Sequence, residues 1–430
     1  MKEKEFDKNH LWHPFTQALT ADDPLCIVKG KGPFLFDEKG KKYIDLISSW
    51  WVTCHGHAHP KLAQAIYKQA KTLEQVIFAG FTHLPAIHLC QKLLKYLPKD
   101  LTRFFFSDNG STAIEVALKM AYQYFYNQNQ KEKKIFLHFE GGYHGDTFGA
   151  MAVGRSSDYY KPFEDLFFET FAVPFPETWD LDENVEEKEA HSLRVLENYL
   201  THNKNKIVAF IMEVQIQGAA GMKIGRALFY KKLHALLRAH NILIIYDEVM
   251  TGFYRTGTFF SFDKIGLSPD FLCLSKALSG GCLPLSLTIT SEKIFEAFLN
   301  PSVDKAFLHG HSFTANPLGC AAAIASLEIF EQKNYSSKIK NLEITHKKKM
   351  LELFKTGLIH KTAVIGTIAR FELKNSSAEK LTLLKKQAQE KGIILRPLKG
   401  VIYLMPPYVI SKKDLSFSYD ILKELIENLV

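Results

Sequence analysis

Asp247 and Lys276 are the two residues around which a reaction can be built. Asp247-Glu248 closes the apolar run 242–246, and Ser275-Lys276 follows a second apolar run, 271–274, just ahead of Gly280-Gly281. A carboxylate at one strand end and an amine at the next is the pair that pyridoxal phosphate requires. The lysine bonds to the cofactor's aldehyde as a Schiff base, and the carboxylate keeps the pyridine nitrogen protonated so that the ring can accept electrons. Acids and lysines end many strands, so this chemistry also needs a phosphate cup and an aromatic ring to stack on the cofactor.

The elements that must position such a pair are legible nearby. Short apolar runs bounded by polar residues predict buried parallel strands, whose carboxyl ends are where ligands sit in open α/β sheets. Phe104-Phe105-Phe106 leads into SDNGSTAIEVALKMA, with apolar residues at 114, 117, 118, 121 and 125. That spacing predicts a helix opening at Gly110-Ser111-Thr112. Such a turn offers N–H groups, hydroxyls and the positive dipole end to a phosphate, and it is equally the form of an ordinary N-cap. The run 134–139 ends in EGGYHGDTFGAM, where Gly141-Gly142 allows close backbone approach. Tyr143 then reads either as the aromatic that stacks on a pyridine ring or as a plain loop residue. Further strands are expected at 207–214, ending near Glu213, and at 285–290. Strand–helix alternation across 100–290 predicts an α/β fold with a mostly parallel sheet and helical crossovers. No GxGxxG follows an early strand, so a dinucleotide fold has no direct support.

The flanks read differently. Residues 34–37 and 42–46 predict a hairpin, and 61–77 and 85–97 predict amphipathic helices. Helical pattern dominates 331–360. Strands at 364–373, 393–398 and 401–406 surround a helix at 378–391, with a last helix near 412–429. The ends thus make a smaller α+β unit with its own core, and the expected division is 1–48, 49–330 and 331–430. HLWHPFTQ, residues 10–17, reads as an aromatic-rich arm. In SSWWVTCHGHAHP, residues 48–60, two adjacent tryptophans supply rigid apolar walls. His55, His57 and His59 alternate, but Gly56 and Pro60 break the strand, so no metal site is expected. Arg396, placed on the 393–398 strand, either pairs with a substrate carboxylate or ends in a surface ion pair.

At 430 residues, with 46% hydrophobic and 23% charged, the chain is long enough for a large core and ordinary enough to be a soluble globular protein. A formal charge of +8 without any dense basic block among aromatics argues against nucleic acid as a partner. The first residues, MKEKEFDKNHLW, lack a signal's apolar stretch, and no apolar run approaches the roughly 18 residues a membrane span needs. Six cysteines without CxxC spacing fit reduced thiols in a cytoplasm.

Taken together, HLWHPFTQ, SSWW, SDNGSTAIEVALKMA, GGYHGDTFGAM, YDEVMTGFYRTG, LSKALSGG, HGHSF-x-x-NP and LRPLKGVIYLMPPY span nearly the whole chain. The set resembles the class III, ω-type aminotransferases. The HLWHP, SSWW and IYLMPPY segments narrow the likeness to the branch that works in biotin biosynthesis. The resemblance implies a fold-type I enzyme that holds pyridoxal 5'-phosphate and acts as a homodimer with shared sites. Its small-molecule substrates are 8-amino-7-oxononanoate and an amino donor, S-adenosylmethionine or, in some relatives, lysine. By motif it makes Lys276 the Schiff-base lysine, Asp247 the pyridinium partner, Tyr143 the stacking ring, and Gly110 with Ser111 the phosphate cup. Ser312 reaches the other subunit's phosphate. Phe15, Trp50, Trp51, Gly310, Arg396 and Tyr403 belong to the substrate pocket, and Asp146 lies near the donor. The chain departs from the pattern at Phe15, where tyrosine is common, at Ser312, where threonine is usual, and at His311, which replaces a proline.

The expected reaction is a ping-pong transamination that yields 7,8-diaminononanoate. Three rivals share parts of the pattern: an ω-aminotransferase for ornithine, a diamine or 4-aminobutyrate; an aminomutase; and a non-catalytic protein that only binds the cofactor.

Overall fold

The computed structural model describes residues 2–154 and 158–429. A seven-stranded sheet organises the larger part. Its order from one edge is Leu101–Ser107, Ser286–Ser291, Phe271–Leu274, Leu243–Asp247, Ile207–Glu213, Ile135–Phe139 and Thr170–Val173. Ser286–Ser291 runs antiparallel to both its neighbours, and the remaining pairs are parallel. The strands are apolar on both faces because helices cover both. Leu243 and Ile245 join the core under the helix Gly110–Asn127, while Ile244 and Tyr246 join the core on the opposite face. Register brings Asp247 level with Glu213 on one side and Cys273 on the other. The carboxyl ends of the middle strands therefore deliver Tyr143, Glu213, Asp247 and Lys276 to one rim.

A second apolar cluster joins Ile44 and Leu46 to residues between 342 and 426. The backbone makes the same link, since Ile393–Ile394 pairs in parallel with Ile44 and Asp45. A three-stranded antiparallel sheet, Ile359–Ile365, Ile368–Leu373 and Val401–Leu404, lies against the helices of this part.

Several elements are shorter than their patterns predict. The helix expected to reach His360 is Tyr335–Phe354; it stops before Gly357, whose φ of +75° is left-handed, and His360 lies in a strand. The strand expected over 393–398 covers only Ile393–Ile394. Arg396 is thus not on a strand but in the irregular stretch before Pro397, which has no N–H to extend a ladder. Pro406 and Pro407 similarly follow the end of Val401–Leu404. The helices expected over 61–77 and 85–97 are Pro60–Ala70 and Leu84–Leu93. No described helix is long and apolar enough to cross a membrane.

Candidate active site

At the carboxyl ends of these strands lies a cavity of about 510 Å³, lined among others by Trp51, Gly110, Ser111, Tyr143, Asp247 and Lys276. Lys276 is separated from the end of its strand by Ser275 and takes φ +48°, a left-handed conformation that a side-chain-bearing residue keeps only when its surroundings enforce it. Its Nζ lies 5.0 Å from the centroid of the Trp51 ring. Burial lowers the proton affinity of this amine and Arg255 adds to that, against opposing pulls from Asp247 and Glu213. The net direction favours the neutral, nucleophilic form.

Asp247 is held from two sides. His144 Nδ1 lies 2.7 Å from its Oδ2, and the Val249 N–H donates to its Oδ1 at 3.0 Å. Aspartate and histidine are both buried, so the contact is sheltered from solvent. Glu213, one strand over, accepts the N–H of Tyr143 at 3.2 Å and of Gly218 at 2.9 Å. Burial pushes its carboxyl up to about 7. Gly218 is thereby set against Trp51 and Met250: a Cβ there would lie 3.1 Å from the indole. Tyr143 donates its hydroxyl to Asp146 Oδ2 at 3.0 Å, and Tyr160 reaches the same carboxylate at 3.4 Å.

The helix Gly110–Asn127 opens onto the same cavity. Asn109 accepts the Thr112 N–H at 3.1 Å in a capping box, so the cap and the anion site coexist. The first-turn N–H groups of Gly110 and Ser111 have no partner within the helix. A Cβ on Gly110 would lie 2.6 Å from Val249 Cγ1, and one on Gly145 would lie 2.0 Å from Ser111 Oγ. Both backbones are therefore packed as closely as glycine allows. An amine, a buried carboxylate, an aromatic ring and a helix N-terminus around one cavity fit the aldehyde, ring nitrogen, ring face and phosphate of pyridoxal phosphate.

The remaining expected residues divide into three groups. Tyr403 stands behind the wall, its hydroxyl accepting the Trp51 indole N–H at 2.9 Å. Phe15, Trp50 and Arg396 form a stack outside the cavity lining: the guanidinium lies 4.1 Å from the Trp50 centroid, and the Phe15 ring meets Trp50 edge-on at 5.5 Å. Gly310 and Ser312 are exposed and do not line the cavity of their own chain. The alternating histidines part company: His57 Nε2 lies 2.8 Å from Asp45 Oδ2, and His55 turns into the core.

The 17–426 stretch matches the family model described as aminotransferase class-III. The chain belongs to the class-III aminotransferases. Its cofactor is accordingly pyridoxal phosphate. Among its curated relatives, the adenosylmethionine-8-amino-7-oxononanoate aminotransferase of Synechococcus elongatus is 47% identical, covering 98% of this chain and 99% of its own. The protein of the same description from Aquifex aeolicus is 38% identical, covering 99% and 97%. A solved structure of such an enzyme from Methanocaldococcus jannaschii superposes with a TM-score of 0.92 at 33% identity, over 99% of both chains.

Several residues at or near this cavity were not expected from the sequence. His144 had a signal, since it directly follows Tyr143 at the same strand end. Glu213 was visible as a strand terminus but not as the acceptor that ties Tyr143 to Gly218. Arg255 gave no sign of its burial: it is fully enclosed, with its guanidinium 4.7 Å from the Tyr408 ring.

Proposed function

We propose that this aminotransferase converts 8-amino-7-oxononanoate to 7,8-diaminononanoate in biotin biosynthesis, with S-adenosylmethionine as donor. The observation that carries the reading is the 47% identity, over 98% of the chain, to a relative whose name states that pair. Pyridoxal phosphate, when bound, supplies the aldehyde that takes up the amino group and the ring that draws electrons from the reacting carbon. Lys276 Nζ would tether it and, as a neutral amine, would take the proton from the donor's amine-bearing carbon. Asp247, oriented by His144, would hold the proton on the ring nitrogen. Tyr143 would cover the ring, and Gly110 with Ser111 would receive the phosphate at the helix N-terminus.

Trp51 walls the substrate's apolar chain, with Tyr403 fixing the indole. Trp50 and Phe15 extend that wall outward. Arg396, stacked on Trp50, pairs with the distant carboxylate. Asp146 lies beside the donor amine. Gly310 and Ser312 serve a second copy's cavity in a homodimer. Support for this lies in the exposed Ile77, Phe81, Leu84, Leu308 and Phe313, since the two segments that carry them are joined by Gln75 Nε2 donating to Ser312 O at 2.8 Å. A cytoplasmic setting belongs to the same proposal, supported by six unpaired cysteines. The division of the chain at 48/49 and 330/331 does too, supported by the separate apolar cluster of the chain ends.

A second reading takes lysine as donor, favoured by Phe15, which offers Trp50 a ring edge without a hydroxyl. The test supplies purified enzyme with 8-amino-7-oxononanoate and, in turn, S-adenosylmethionine, lysine, ornithine, a diamine or 4-aminobutyrate. Diaminononanoate formed with S-adenosylmethionine is the expected result. Formation only with lysine selects the second reading, and no turnover of the ketone with any donor refutes both.

A further inference from the structure

We infer that Tyr335, His55 and Ser326 form a one-directional hydrogen-bond chain that positions the backbone carrying Lys276. The direction follows from the atoms. Ser326 Oγ lies 3.2 Å from the Ala277 carbonyl, which can only accept, so the serine's single proton goes there. The 2.9 Å contact between Ser326 Oγ and His55 Nε2 then requires the ring proton on Nε2. His55 Nδ1 is left as an acceptor and receives the Tyr335 hydroxyl proton at 3.2 Å. Burial pushes the His55 ring down to about 3, helped by His59 and Lys338 nearby. The ring is therefore neutral at working pH and locked in one tautomer.

The chain ends where the site is strained. Ala277 directly follows Lys276, whose φ of +48° needs outside support, and its carbonyl also accepts the Gly280 N–H at 2.9 Å. The imidazole itself packs beneath the turn: a Cβ on Gly280 would lie 3.0 Å from His55 Cδ2 and 2.7 Å from Leu62 Cδ1. Three separate segments supply the chain that ends at this carbonyl: the loop after Trp51, the helix Pro317–Phe330 and the helix Tyr335–Phe354. His55, Ser326 and Tyr335 are all buried, so no water substitutes for a lost link. These are positioning residues, and they rest on the reading of Lys276 as the amine that tethers the cofactor.

The test compares holoenzyme of the parent with Ser326→Ala and Tyr335→Phe. Nitrogen-15 spectra of the histidines should show His55 protonated on Nε2 alone in the parent across the neutral range, and lose that fixed tautomer in Ser326→Ala. Ser326→Ala should slow single-turnover amino transfer about tenfold or more, since small misplacements of a reacting group cost that much. It should raise the isotope effect from deuterium on the donor carbon, leave KM within about twofold, and move the pH midpoint of the cofactor's absorbance. A folded Ser326→Ala enzyme with the parent's rate and midpoint overturns the inference. So does a loss of rate that only tracks loss of folded protein. If Ser326→Ala does not fold, Tyr335→Phe, which removes one oxygen, decides by the same readouts. Borohydride labelling of the parent separates two failures: label away from Lys276 removes the reading beneath the inference, whereas label at Lys276 with unaltered variants removes the chain alone.

Discussion

Tyr403→Phe removes a single oxygen and isolates what holds the tryptophan wall in place. Trp51 is 6% exposed and Tyr403 1%, so water does not replace the missing acceptor. The aromatic contact, 6.3 Å between centroids at 72°, survives in phenylalanine. What is lost is the 2.9 Å hydrogen bond from the indole N–H. A buried donor left unsatisfied costs about 1–3 kcal/mol, which is roughly 5- to 150-fold in an equilibrium or a rate. The Trp51 ring lies 5.0 Å from Lys276 Nζ, so a shift of the indole toward a new partner disturbs the cavity wall. Steady-state kinetics with the ketone substrate should therefore show kcat/KM reduced within that range, with cofactor affinity unchanged. Isothermal titration of the apoprotein with pyridoxal phosphate checks the second point. A variant with kcat/KM within twofold of the parent and an unchanged unfolding midpoint would refute the reasoning.

Other perturbations address separate parts of the site. His144→Phe deprives Asp247 of its 2.7 Å partner, and kcat should fall about 10- to 100-fold with folding preserved, as read by single-turnover absorbance. Glu213, pushed up to about 7 from an ordinary 4.5, favours its protonated form in the folded protein. Its contribution to stability is thus complete below about pH 4.5 and is lost as the pH rises through 7, a total on the order of 3 kcal/mol. Urea unfolding across that window should show the loss in the parent and a flatter profile in Glu213→Gln. Arg396→Lys keeps the charge but loses the planar fork above Trp50. It should raise KM for the ketone about tenfold and leave the donor half-reaction unchanged.

How far the site could be read from sequence depends on how local its signals are. Asp247 and Lys276 each end an apolar run, and Gly110-Ser111 opens a helix whose spacing is visible in its own residues. Those features need no knowledge of distant contacts, and the structure brings all four to one cavity. The antiparallel strand Ser286–Ser291 looks like its neighbours because it is buried on both faces too. The hydrogen bonds behind the site join residues far apart: Trp51 with Tyr403, His144 with Asp247, His55 with Tyr335. A run of alternating histidines gives no hint that one faces Asp45 and the next the back of the Lys276 turn. Gly310 and Ser312 show the opposite case, since their motif places them at a site while their own chain keeps them at the surface.

The central claim is that Lys276 carries the cofactor. Borohydride reduction of the holoenzyme, followed by proteolysis and mass spectrometry, tests it directly. The account predicts a pyridoxyl-phosphate adduct on the peptide containing Lys276, and no adduct on that peptide in Lys276→Ala, which should also have no turnover. An adduct on a different lysine of the parent, or full turnover by Lys276→Ala, would contradict it.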